Sequence, residues 1–432
     1  MRKPSVISLY TGAGGLDLGA HAAGLRTAVA VEMDADSCAT LRANTSKEYQ
    51  WQVIDSPIQE VSSSELLAAS GLSPGEAELL MGGPPCQPFS KSGYWATGDS
   101  RRLEDPRAET LSQFLRVLRD TRPRVFLLEN VAGLKYSDKD EGLEYLRTEL
   151  AALNGALGTR YSFRWKVLNA AQFGVPQLRE RLFIVGQRDG VEFRFPEPRF
   201  EDHEKAKFEP ELAPYSRAWD VVADLGVPDD LDELQLRGKY RSLLPTVPEG
   251  ANYLFHTDRG IHFYADVGVR THGRGLPLFG WRRRYWSFLL KLSKWRPSWT
   301  LTAQPGPAIG PFHWDNRRLS RKEMARLQTF PDGYSLIGSL GSVQRQLGNA
   351  VPSLLAEVLG REIRRQLLGH QVSSTSLRLL RGRSTRTPPA PQVESRVPPE
   401  FMKLVGSHSA HPGTGKGHGA LRRLECLRPL VP

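Results

Sequence analysis

SVISLYTGAGGLDLG, residues 5–19, sets a short β-rich run against a glycine-rich turn and the start of a helical pattern. Strand, tight turn and helix in that order open a βαβ unit, because glycines let backbone come close to a ligand. The glycines fall at 12, 14, 15 and 19, and Asp17 stands where a third would complete G-x-G-x-x-G. The dinucleotide fingerprint is broken, which points to a ligand without a pyrophosphate to cradle. Outward from this stretch, AVAVEM (28–33), WQVID (51–55) and AELLMGG (77–83) read as further strands. TLSQFLRVLRD (110–120) spaces Leu111, Phe114, Leu115 and Leu118 on one helical face. RVFLLENV (124–131) is a near-continuous apolar run, as expected of a parallel strand covered on both sides, and RLFIVGQR (181–188) is another. The alternation predicts a doubly wound α/β domain over the first 190 residues.

The 432 residues are enough for one large domain with a subdomain, or for two domains. No apolar run reaches the ~18 residues of a membrane span, and MRKPSVISLY lacks the apolar stretch of a signal peptide. Three cysteines, Cys38, Cys86 and Cys426, make no disulfide framework, so a cytoplasmic location is expected. Net charge is +11 and unevenly placed: residues 237–296 hold twelve Lys/Arg against three Asp/Glu, and 371–432 hold ten against three. Two local basic segments favour a polyanionic partner.

Periodicity weakens after Pro196 and returns near 319, where Ser320 and Glu323 make a capping box. A last helix is expected over about 352–368, after the loop LGNAVPS, and the Ser-, Pro- and Arg-rich stretch from 371 reads as disordered.

Candidate chemistry collects at strand ends. Glu32 ends the second strand, where a carboxylate can chelate ribose hydroxyls, and Asp55 ends the third. With the glycine loop they favour a nucleoside cofactor, S-adenosylmethionine fitting best. GGPPCQPFS (82–90) holds Cys86 among three prolines, which fix φ and leave the loop little freedom to lose. On composition alone that thiol reads equally as a buried structural cysteine. Glu129 emerges from an apolar strand, where burial raises a carboxyl pKa, or is a solvated strand-end acid. In QLRER (177–181), Gln177, Arg179 and Arg181 share one face at period two, which suits an anion or carbonyl, or simply a solvated edge.

The segments TGAGGLDLG, GGPPCQPFS, ENV, QLRER and LGNAVP stand in the order and spacing of DNA cytosine-5 methyltransferases of the bacterial restriction–modification type, and the chain resembles that family over about residues 5–365. The resemblance implies a Rossmann-like S-adenosylmethionine-dependent methyltransferase sheet with a smaller target-recognition domain. Residues 1–190 would be the catalytic and cofactor-binding domain, 191–318 the target-recognition domain, 319–370 a segment returning to the catalytic domain, and 371–432 a basic, disordered tail. It also implies roles. Cys86 would add to carbon 6 of a flipped-out cytosine, Glu129 would hold ring N3 and the exocyclic amine, Arg181 would bind O2, and Arg179 would steady the loop or a phosphate. Tyr10, Gly12, Gly14, Glu32, Met33, Asp55, Pro85 and Asn349 would surround the cofactor, with no metal. Ser92, in the loop after Cys86, and Arg282, Arg283 and Arg284 would face double-stranded DNA. A monomer in the bacterial cytoplasm, on nucleoid DNA and paired with a restriction endonuclease, is the family expectation. One branch of the family methylates tRNA with the same thiol motif, but its recognition segment is short.

Overall fold

The computed structural model describes residues 3–46, 48–85, 109–131, 141–203, 209–258, 260, 275–280, 285–370 and 376–406. The strands of the main sheet are β1 (Ser5–Leu9), β2 (Arg26–Glu32), β3 (Gln52–Asp55), β4 (Leu79–Gly82), β5 (Val125–Asn130), β6 (Ser162–Asn169) and, after the two-residue β7 (Gln177–Leu178), β8 (Glu180–Gln187). Further two-residue strands are β9 (Phe200–Glu201), β10 (Ala213–Pro214) and β11 (Ser298–Trp299). The main sheet runs β3-β2-β1-β4-β5-β8-β6, mostly parallel. Helices α1 (Gly15–Ala22), α2 (Ala35–Ala43), α3 (Ser63–Ser70), α4 (Glu109–Thr121) and α5 (Glu141–Leu157) connect the first strands. Later come α6 (Ala218–Val222), α7 (Leu231–Leu234), α8 (Arg321–Leu327), α9 (Leu340–Asn349), α10 (Ser353–Gln366) and α11 (Pro399–Met402). None of the described helices is long and apolar enough to cross a membrane.

The strand read from RLFIVGQR forms, but with reversed polarity: β8 is antiparallel to both β5 and β6. Between β6 and β8 the chain makes only the short 3-10 turn Ala170–Phe173 and the two residues of β7. A parallel crossover needs a dozen or more residues, so the strand must turn back. β6 itself escaped the sequence reading. It is an edge strand, mostly half-buried, and its apolar residues alternate with Arg164 and Lys166.

Alternation along the central strands splits the core into two faces. Ile7, Leu9, Phe126 and Leu128 pack with α4 residues Phe114 and Leu118 on one side. Val6, Leu79, Val125 and Leu127 pack with Leu354, Leu355 and Leu359 of α10 on the other. A Cβ at Gly19 of α1 would lie 2.3 Å from the Ala356 Cβ and 2.4 Å from the Ser353 carbonyl oxygen, so this glycine is where α1 and α10 meet. That is how a helix near residue 360 becomes part of the first domain's core.

Asp17 explains why the dinucleotide fingerprint is absent. It is wholly buried, and its carboxylate accepts hydrogen bonds from Ser8 Oγ (3.1 Å) and Thr27 Oγ1 (2.8 Å), joining β1, β2 and α1. Burial pushes its pKa from 3.8 up to about 6, against those hydrogen bonds. The fold thus binds a proton, over the window from 3.8 to about 6, that the unfolded chain has released. Stability falls as pH rises through that window, by roughly 3 kcal/mol in all, and stays low above it. Asp17→Asn removes this penalty. Its melting temperature should exceed the wild type's at pH 8, with the gap closing towards pH 4 in thermal scans. A variant melting lower at both ends would show that the ionised carboxylate is required.

The later part of the chain has two clusters. One joins Ala218, Val221, Leu292, Leu301 and Trp314 to Leu18, Leu41 and Trp51 of the sheet domain. The other gathers Leu243, Tyr253, Phe255, Leu278, Leu289 and Phe312. Phe401 belongs to this second cluster, which corrects the reading of everything beyond 371 as disordered. Residues 376–406 lie along the protein surface, and Phe401 is 2% exposed. Their composition concealed the anchors, a few apolar side chains widely spaced between prolines and arginines.

Candidate active site and cofactor cleft

A cleft of about 580 Å³ opens at the carboxyl ends of β1, β2, β4 and β5, where open α/β sheets bind ligands. Tyr10, Gly12, Glu32, Met33, Pro84, Pro85, Glu129, Arg181 and Asn349 all line it. One end is built around Glu32. Its Oε2 accepts from the Gly12 amide (2.7 Å), and its Oε1 accepts from the amides of Met33 (2.9 Å) and Asp34 (2.8 Å). A carboxylate can accept about four hydrogen bonds, so capacity remains for hydroxyl donors. Gly12 has φ +56°, and a Cβ there would meet nothing within 4 Å, so backbone faces open space. Met33 is 68% exposed and offers an apolar surface beside the acid. Gly14 (φ +83°) has a different position: it caps α1, and a Cβ on it would press on Tyr334 and Leu41.

Asp55 differs from expectation. It lies opposite Glu32 across the β2–β3 ladder, but its carboxylate pairs with Arg42 Nη1 at 3.0 Å. The Arg42 guanidinium holds its pKa below the usual carboxylate range, and Ser56, not Asp55, lines the cleft. Tyr10 has φ +53° and donates its hydroxyl to the Thr110 carbonyl oxygen (2.7 Å), while Thr110 Oγ1 donates to the Pro85 carbonyl oxygen (3.1 Å). The end of β1, the start of α4 and the proline loop are thereby linked. Arg345 also lines the cleft, paired with Asp34 at 2.7 Å. It sits one helical turn before Asn349 on α9, a spacing that could have drawn attention to it.

The other end is an ion pair. Arg181 Nε stands 2.9 Å from Glu129 Oε1, both largely buried. Burial raises the Glu129 pKa above the usual carboxylate range, and the Arg181 charge only partly offsets this. Gly83 is the space-maker: a Cβ on it would sit 2.7 Å from Glu129 Oε2. Gly83→Ala should therefore displace the acid. An ångström of misplacement can cost about 10²-fold in rate, so a reaction that uses this acid should slow by that order, with binding at the Glu32 end of the cleft within about twofold. Full activity in G83A would show that Glu129 does not need this position.

Arg179 does not join the pair at the cleft. Its fully buried guanidinium donates to the carbonyl oxygens of Gly348 (2.7 Å) and Leu301 (3.3 Å), so it is committed to the interior and does not line the cleft. Gln177 is likewise internal, accepting from the Leu301 amide (3.1 Å) and donating to Gln328 (3.3 Å). The shared face expected for QLRER is interrupted, because the chain leaves β7 at Leu178 and enters β8 at Glu180. Gln177 and Arg179 are scaffold, and of the three residues expected to share a face only Arg181 meets the cleft. Cys86, Ser92, Arg282, Arg283 and Arg284 lie outside the described residues.

The C-5 cytosine-specific DNA methylase family matches residues 5–365. The chain belongs to that family. Among its curated relatives, the Type II methyltransferase M.SacI of Streptomyces achromogenes is 40% identical over 393 residues, spanning 84% of this chain and 93% of that protein. M.NgoFVII of Neisseria gonorrhoeae is 31% identical, spanning 81% and 83%. Solved structures agree in fold: an E. coli prophage protein (TM-score 0.56, 23% identity, 85% of this chain and 100% of that one) and Dnmt2 of S. pombe (TM-score 0.51, 16% identity, 85% and 99%). This DNA cytosine-5 methyltransferase uses S-adenosylmethionine, and the Glu32 end of the cleft fits it. A carboxylate clamped by three amides suits a ribose diol, and the exposed Met33 suits a flat base.

Proposed function

We propose that this methyltransferase modifies one cytosine within a specific duplex sequence, protecting DNA from a companion restriction endonuclease, as the Type II names of its relatives suggest. The observation that carries the reading is the Glu129–Arg181 pair, which shares a single cleft with the Glu32 clamp. Carbon 5 of cytosine is a poor nucleophile. The Cys86 thiolate adds to carbon 6, while Glu129, kept protonatable by burial, donates at ring N3 and Arg181 holds O2. When bound, S-adenosylmethionine supplies the electrophilic methyl group that carbon 5 accepts. Loss of the carbon 5 proton to solvent and return of the N3 proton to Glu129 accompany β-elimination, which breaks the bond to sulfur and restores the thiolate. Such a cleft cannot admit a stacked base, so the target must swing out of the helix. Residues 191–318 read the sequence, with Arg282, Arg283 and Arg284 on the phosphates and Ser92 on the loop that closes over the base. Asp34, held by Arg345, fixes the start of α2 beside the cofactor.

Labelled methyl from S-adenosylmethionine should enter duplex DNA but not tRNA. Expression in a host without cytosine methylation, followed by mapping of 5-methylcytosine, should return one short motif. Scattered methylation without a motif would overturn the sequence-specific reading.

A further inference from the structure

The 376–406 segment lies beyond the family match and has the composition of disorder, yet it is anchored at both ends. At the first end Glu357 of α10, fully buried, accepts from the backbone amides of Arg378 (2.7 Å) and Leu379 (2.8 Å). Leu377, Leu379 and Leu380 rest on the sheet domain's second core face. Midway, Trp219 Nε1 of α6 donates to the Arg386 carbonyl oxygen (2.8 Å), and the Ser384 amide donates to Asp220 (3.2 Å). At the far end Phe401 enters the cluster of Leu243, Tyr253, Phe255 and Phe312 and stacks on Tyr240 at 6.1 Å, while Gly406 donates to the Pro277 carbonyl oxygen (3.1 Å). Three of the segment's five arginines are engaged at the surface: Arg381 pairs with Asp332, and the exposed Arg383 and Arg386 donate to the carbonyl oxygens of Tyr215 and Ala223.

We infer that residues 376–406 are an interdomain clamp, fixing the DNA-reading segment against the sheet domain, and that Phe401 is a positioning residue for DNA engagement. This rests on the reading of residues 191–318 as the DNA-recognition part. A chain that ties Glu357 to Phe401 adds a second tie, between clusters that share no strand, to the direct packing of Ala218, Val221 and Trp314 on Leu18, Leu41 and Trp51. The docking of this chain thereby restrains where the recognition part stands relative to the Glu129–Arg181 pair. Its effect on DNA comes from packing, not from phosphate contacts.

Full-length Phe401→Ala should raise KM for duplex DNA about tenfold, with kcat and S-adenosylmethionine affinity within about twofold. Trp219→Phe should shift KM in the same direction by about threefold, and Phe401→Leu, which keeps an apolar anchor, should restore most of the wild-type value. The salt dependence of DNA binding should keep its slope in all three, because no phosphate contact is lost. A control, Arg396→Gln with Lys403→Gln, removes two exposed charges and leaves every anchor in place. Apart from DNA, Phe401→Ala should speed proteolysis within 387–406, which would hold even if the substrate were not the one proposed. The clamp is refuted if Phe401→Ala leaves KM unchanged, or if it loses cofactor and DNA binding alike. A charge control that reproduces the loss with a shallower salt slope would refute it too.

Discussion

Glu129→Gln is expected to lower methyl transfer by about 10²–10⁴-fold, the usual contribution of a positioned proton donor, while leaving cofactor affinity unchanged. Glutamine fills the same space above Gly83 and can still accept from Arg181, so the fold should survive. What it lacks is an acidic proton to transfer, although its amide can still donate a hydrogen bond. Burial holds the Glu129 pKa above its ordinary range, so the protonated acid persists closer to neutrality than an exposed glutamate would. The sign of the pH dependence follows. Activity that needs the acid falls as pH rises through the raised pKa, so kcat/KM of the wild type should decline on its alkaline side for this reason. E129Q should lose that limb. A variant retaining a tenth of wild-type activity with an unaltered profile would remove Glu129 from the proton path.

The second large effect concerns Cys86. Alanine there should abolish transfer, by at least about 10⁴-fold, since removing a covalent nucleophile costs nearly everything a catalytic unit provides. Binding of duplex DNA and of S-adenosylmethionine should persist. The covalent step has its own readout: duplexes carrying 5-fluorocytosine at the target cannot lose a proton from carbon 5, so the wild type should accumulate a protein–DNA adduct stable to denaturation. C86A should form none. An adduct in C86A, or its absence from an active wild type, would sink the sulfur–carbon 6 bond. No lysine or histidine stands beside Cys86 in sequence, Lys91 being the nearest cation, so a thiol of ordinary pKa would be only a few per cent ionised.

The sheet was legible because β1, β2, β4 and β5 are buried and near-continuously apolar, and because the turn at Gly12–Gly15 and the acid Glu32 fall where a first βαβ unit places them. What escaped was whatever depends on contacts distant in sequence. β6 is an amphipathic edge, invisible to a search for apolar runs. Arg179 and Arg181 look alike as residues two apart. Only the break between β7 and β8 assigns one to the interior and the other to the cleft. Asp55 carries the strand-end signal that Glu32 carries, but Arg42, in the last turn of α2, claims it. The anchors of the 376–406 segment are a few backbone amides, three leucines at one end and one phenylalanine at the other, which leave no periodic trace.

The antiparallel course of β8 also decides which parts of this enzyme are interchangeable. In a wholly parallel sheet every strand begins on the rim away from the ligand, and a residue such as Arg181, second in its strand, would stand there. Reversing one strand brings its beginning to the rim where β5 ends, so Glu129 and Arg181 meet through the ladder itself. The Glu129–Arg181 pair is therefore held by the sheet itself, and in the proposed mechanism the groups that meet the base stand apart from residues 191–318. On the proposed division of labour, residues 191–318 can then be exchanged, and the DNA word with them, without disturbing that pair.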